Sequence, residues 1–118
     1  MLAGCNGGTV DRHALTNDSA ALDSIACEGA LLAHDTARGK TTAFFAREQA
    51  EELQIESANF ADALAKRRTI PALEPKVRQK ARHAAVLATT LERLHDGPSD
   101  RAVAESVERQ LKKLGGCS

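Results

Sequence analysis

Apolar residues recur along this chain at alternating spacings of three and four, with polar residues filling the intervals, which is the pattern of helices that bury one face. The first such segment carries Leu22, Ile25, Gly29 and Leu32 and runs to about Arg38. Thr16-Asn17-Asp18-Ser19 supply side-chain oxygens to cap its start, and Gly39 offers a left-handed stop. The second is the most regular: Thr41 or Thr42 caps it, Ala46, Ala50, Leu53, Ser57, Phe60 and Leu64 line one face, and Thr69-Ile70-Pro71 ends it. The third begins near Pro71 to Pro75. Its stripe is Leu73, Val77, Ala81, Ala84, Leu87 or Ala88, Leu91 and Leu94, and Asp96-Gly97-Pro98 stops it. The fourth starts at Ser99, presents Val103, Val107, Leu111 and Leu114, sets Lys112 and Lys113 against the negative end of its dipole, and closes at Gly115-Gly116.

No segment sustains the two-residue alternation of a strand. The expected fold is therefore all-α: four amphipathic helices in an antiparallel up-down bundle or two packed helical hairpins, because short connections favour antiparallel neighbours. A length of 118 residues suits one domain. Gly4 to Gly8 is too glycine-rich and polar to pack, so residues 1–15 read as a tether and 16–118 as the helical domain.

Composition narrows the function classes. Sixteen basic and sixteen acidic residues cancel, so no overall field draws nucleic acid, and no nucleic-acid partner is expected. Three Phe and no Trp or Tyr leave Leu, Ala, Val and Ile to fill a thin core. No run approaches the roughly 18 apolar residues that cross a bilayer. Charge is nonetheless organised: Glu48, Glu51, Glu52, Glu56 and Asp62 mark the second helix, and Lys66 to Arg82 is strongly basic. The plainest account is that neighbouring helices complement one another and water solvates the rest; the sharper one is a basic lobe against anionic head groups.

Candidate chemistry is sparse. Gly39-Lys40-Thr41 echoes the end of a phosphate-binding loop, but the required earlier glycine is His34 and a helix precedes it, so it reads as a helix stop and cap. His13, His34, His83 and His95 form no pair at helical spacing, no HExxH and no CxxC pattern exists, and the histidines read as solvated or capping. Nothing resembles a GxSxG elbow, and the adjacent Glu51 and Glu52 read as a solvated face. No enzymatic activity, catalytic residue, metal or cofactor is expected.

One motif stands out. Leu2-Ala3-Gly4-Cys5 resembles the lipobox of bacterial lipoproteins, and the rest of the chain is similar to small helical lipoproteins of high-GC bacteria, a family of unknown function, with an early helical Cys and a second Cys after a Gly near the C-terminus. The resemblance implies that Cys5 is the first residue of the mature protein, carrying a diacylglyceryl group on sulfur, with Asn6-Gly7-Gly8 as the tether. Met1 to Gly4 would then be the remnant of a signal peptide whose charged and apolar parts lie upstream. With Cys5 lipidated, Cys27 and Cys117 are the remaining thiols, and an oxidising compartment favours their pairing; otherwise Cys27 is a small buried residue and Cys117 a free thiol. The expectation is a non-enzymatic module on the extracytoplasmic face of a bacterial membrane, anchored through Cys5, with an envelope protein partner of unknown identity. The alternatives are a cytosolic helical adaptor and a small-ligand-binding bundle, the latter marked by a cavity lined by His83, Phe60 or Phe45.

Overall fold

The computed structural model describes residues 9–117. Among them are four α-helices, α1 (Arg12–Ala37), α2 (Ala43–Lys66), α3 (Glu74–Asp96) and α4 (Arg101–Gly115), with a single 3-10 turn at Pro71–Leu73 leading into α3. The all-α bundle is the fold, and most of the stripes read from the spacing are its interior, with Ala81, Val103 and Leu114 packed against it but partly exposed. Leu22, Ile25, Gly29 and Leu32 are buried on α1, Val77, Ala84, Leu87, Leu91 and Leu94 on α3, and Val107 and Leu111 on α4. On α2 the stripe is also buried, except that Phe60 packs against the core while staying partly exposed.

Local chemistry explains the helix ends. The Thr42 hydroxyl accepts from the Phe45 N–H at 3.0 Å. Asp100 accepts from Ala102 and Val103 at 3.0 and 3.3 Å, satisfying two of the donors a first turn leaves free. Gly39, at φ 70, turns the chain between α1 and α2, so Gly39-Lys40-Thr41 serves as stop and approach to a cap.

Helix α1 starts about one and a half to two turns earlier than the expected cap at Thr16 to Ser19. Asp11 caps it instead, accepting from the Ala14 N–H at 2.8 Å, while the Thr16 hydroxyl sits inside the helix and donates to the Arg12 carbonyl. The cause lies one residue back. Val10 is fully buried, its N–H donates to the Arg68 carbonyl at 2.7 Å and its carbonyl accepts from the Ile70 N–H at 3.4 Å. This isolated bridge to the α2–α3 connection pins the chain where the helix begins. The described part of the expected tether, residues 9–15, thus belongs to the folded domain.

The closest helix pairings are α2 with α3 and α1 with α4. The first is a sequence-local hairpin; the second brings the two ends of the domain together. Gly29 marks where the four helices converge: a Cβ there would lie 2.8 Å from Leu91 Cδ2, 2.9 Å from Leu111 Cδ1 and 3.8 Å from Leu53 Cδ1. Its missing side chain is what lets α3 and α4 leucines reach the α1 backbone. Two polar residues are buried in this interior, Ser57 and Thr90, and each returns its hydroxyl hydrogen to the carbonyl four residues earlier, at 2.8 and 2.7 Å.

Candidate functional site

Of the three cysteines singled out in the sequence, Cys5 lies outside the described residues. The other two come together. Cys27, in the middle of α1, and Cys117, just past α4, sit in disulfide geometry with Cα atoms 5.6 Å apart. The sequence does this through two glycines with different tasks. Gly115 lies against α1 so closely that a Cβ would be 2.8 Å from Ala26 Cβ and 3.1 Å from the Asp23 carbonyl oxygen. Gly116 takes φ 65, the left-handed cap conformation, and the Cys117 N–H then donates to the Lys112 carbonyl at 3.1 Å, aiming the final cysteine back at α1.

A polar contact fastens the same pair of helices farther along. His34 Nδ1 on α1 is 2.9 Å from Glu108 Oε2 on α4, and Lys112 Nζ reaches the same oxygen at 3.0 Å. Burial pushes the Glu108 carboxyl up, but the hydrogen bonds from Lys112 and His34 outweigh it and hold the group below its ordinary value. His34 is therefore an interhelical partner, where the sequence pattern left it solvated or capping.

The other seam of α4, against α3, is open and forms a groove of 640 Å³. Helix α3 contributes His83, Val86 and Thr90 to it, and α4 contributes Arg109, Lys113 and Leu114. The walls differ in character. Val86 is 51% exposed on the α3 side, and the Thr90 hydroxyl is committed to its own helix. Burial pushes the His83 imidazole below its ordinary value, Lys80 adds to this, and Asp23 and the Leu114 backbone act against it. The α3 wall thus carries no charge: an exposed valine, a hydroxyl committed to its own helix and a ring that favours its neutral form. The α4 wall carries Arg109 and Lys113 one turn apart, and among the described residues no acidic side chain lines the groove. At one end Arg93 reaches across from α3, its guanidinium donating to Gln110 Oε1 and to Ser106 Oγ. Among the described residues no carboxylate pairs with Arg93, Arg109 or Lys113.

Elsewhere charges mostly pair within a helix: Lys66 with Asp62 and Arg78 with Glu74, both four residues apart and exposed. Among the described residues the one cross-helix pair in the basic stretch is Arg67 with Asp18 at 3.9 Å, where burial raises the Asp18 carboxyl and Arg67 pulls it back. No group of three potential metal ligands occurs among the described residues. Of the residues expected to mark a ligand cavity, His83 lines this groove and Phe45 and Phe60 do not; the rest of it escaped the sequence reading because Arg109 and Lys113 belong to one helix and Val86 to another, and their register was not visible. No protein-family model, curated protein or solved structure matches this chain.

Proposed function

We propose that this protein is a non-enzymatic helical module held on the extracytoplasmic face of a bacterial membrane by a lipid on Cys5, where it acts as a structural or interaction domain. The observation that carries this reading is the pairing of Cys27 with Cys117. Disulfides form and persist in oxidising compartments, so two cysteines held in bonding geometry at the junction of α1 and α4 fit a secreted domain better than a cytosolic one. Cys5 is then the odd cysteine of three, preceded by Leu2-Ala3-Gly4 and followed by small polar residues suited to a tether. A domain joined end to end by a covalent link is also suited to a site where damaged protein is not readily replaced.

The test is metabolic labelling with a fatty acid of the gene expressed from its own upstream region, combined with thiol alkylation before and after reduction. The expected result is label on the wild type, none on Cys5→Ser, release of that variant from the membrane fraction, and two thiols that appear only on reduction. Label retained by Cys5→Ser, or three thiols that alkylate without reduction, would overturn the proposal.

A further inference from the structure

We infer that the groove between α3 and α4 binds an anionic single-chain amphiphile, with its head on Arg109 and Lys113 and its chain along Val86 and Leu114. This does not rest on the anchor at Cys5. It rests on the chemistry of the lining: the cations Arg109 and Lys113 on α4, the apolar side chains Val86 on α3 and Leu114 on α4, and no acidic side chain among the described residues. In a chain whose charges sum to zero, a lining with two cations and no carboxylate is a local positive field beside exposed apolar surface, and such a field favours a negative ligand.

Size separates the candidate ligands. A groove of 640 Å³ falls among small-molecule clefts, which run from about 300 to 1,000 Å³. A protein partner would need roughly 800 Å² from this side alone, far more than one seam between two helices supplies. From His83 to Thr90 the α3 wall is roughly 10 Å long at the helical rise, enough for the part of a medium-length acyl chain nearest its head. No aromatic side chain lines the groove, so a nucleotide base has nothing to stack on. Apolar surface then takes the place of a ring: Val86 is half exposed at the middle of the wall, and Leu114 closes the end nearest His83.

The polar groups have distinct tasks. Arg109 and Lys113 lie four residues apart on one face, so both reach one carboxylate or phosphate. Arg93 is a positioning residue: held by Gln110 and Ser106, it ties the α3 rim to α4 and fixes the spacing of the walls.

Dodecanoate, kept below its micelle concentration, is the probe, titrated by calorimetry into full-length Cys5→Ser protein with the Cys27–Cys117 link intact. We expect saturable one-to-one binding. Arg109→Gln with Lys113→Gln should weaken it by about tenfold or more, as loss of charge-assisted hydrogen bonds requires. Val86→Ser, at an exposed position that leaves the core alone, should weaken it as well. Dodecanol should bind more weakly for want of a charge, and acetate for want of a chain. Circular dichroism of each variant separates lost binding from lost fold. No binding of dodecanoate, binding unchanged in the double variant, acetate as tight as dodecanoate, or affinity for anionic vesicles alone would each overturn the inference.

Discussion

Val10 and Phe60 enter the same core to different depths. By its place on the α2 stripe Phe60 is the anchor, and residues up to Val10 are a tail whose change costs less. The structure reverses part of that ranking, for Val10 is fully buried with both backbone groups paired, while Phe60 keeps an exposed edge. Val10→Ala removes two buried carbons and should cost about 2 kcal/mol, whereas Phe60→Ala should fall short of the roughly 3 to 5 kcal/mol of a fully buried ring. Urea unfolding of the two variants checks this, and a neutral Val10→Ala would refute it. His83 allows a second test at this scale. Burial holds its folded value below the ordinary 6.5 of an imidazole. The unfolded chain therefore takes up the proton first as pH falls, so the stability is fully present above about 6.5 and declines below it. The melting temperature of the wild type should drop more between pH 7.5 and 5.5 than that of His83→Gln, and parallel curves would remove His83 as the cause. Glu108, also held low, carries the same sign at more acidic pH, below 4.5.

At the scale of elements, Gly29 shows how a helix can be read correctly and its reason missed. Its spacing places it on the buried face of α1, and so it is. A glycine inside a helix costs up to about 1 kcal/mol relative to alanine, which by itself invites replacement. Tertiary contact decides otherwise, because any Cβ meets Leu91 and Leu111 inside 3.0 Å. Gly29→Val should destabilise the domain by about 1 to 3 kcal/mol through overpacking, in spite of the better side chain for burial. Chemical denaturation measures it; a gain in stability would show that α3 and α4 can retreat from α1 at no cost. Most helix limits were legible for similar local reasons, since Thr42, Gly39 and Gly116 cap, stop or turn the chain through their own side chains or backbone freedom, while α4 begins at Arg101 and not at the expected Ser99 because Asp100 takes the cap. The start of α1 was not. Several capping residues compete between Asp11 and Ser19, and the choice among them was made by Val10 reaching the α2–α3 connection, a contact some sixty positions away in sequence that no local pattern carries.

The whole molecule, 45 × 24 × 18 Å, is held end to end by the packing of α1 on α4 and by Cys27 and Cys117, which are 90 positions apart. A link over such a span should stabilise by roughly 4 to 5 kcal/mol through the loop entropy it removes from the unfolded chain. That is a large share of the 5 to 15 kcal/mol or so typical of a domain. Reduction, or Cys27→Ser with Cys117→Ser, should lower the melting temperature markedly while helix content at low temperature persists, as circular dichroism with and without reductant will record. Equal melting temperatures would mean that the cysteines add nothing to the closure already made by Gly115 against Ala26. What the sequence alone determined is everything that depends on neighbours within a few residues: four helices, their buried stripes, most of their caps and the absence of strand signals, because hydrophobic period and capping are properties of single turns. It also supplied two cysteines of matching fate. Only tertiary structure decided that α1 pairs with α4, that Gly29 is a crossing point, that Val10 is core, and that the cations of α4 face Val86 across an uncharged wall on α3. Each of these depends on the register of one helix against another, which is set by how the stripes interlock in three dimensions and leaves no periodic mark on the chain.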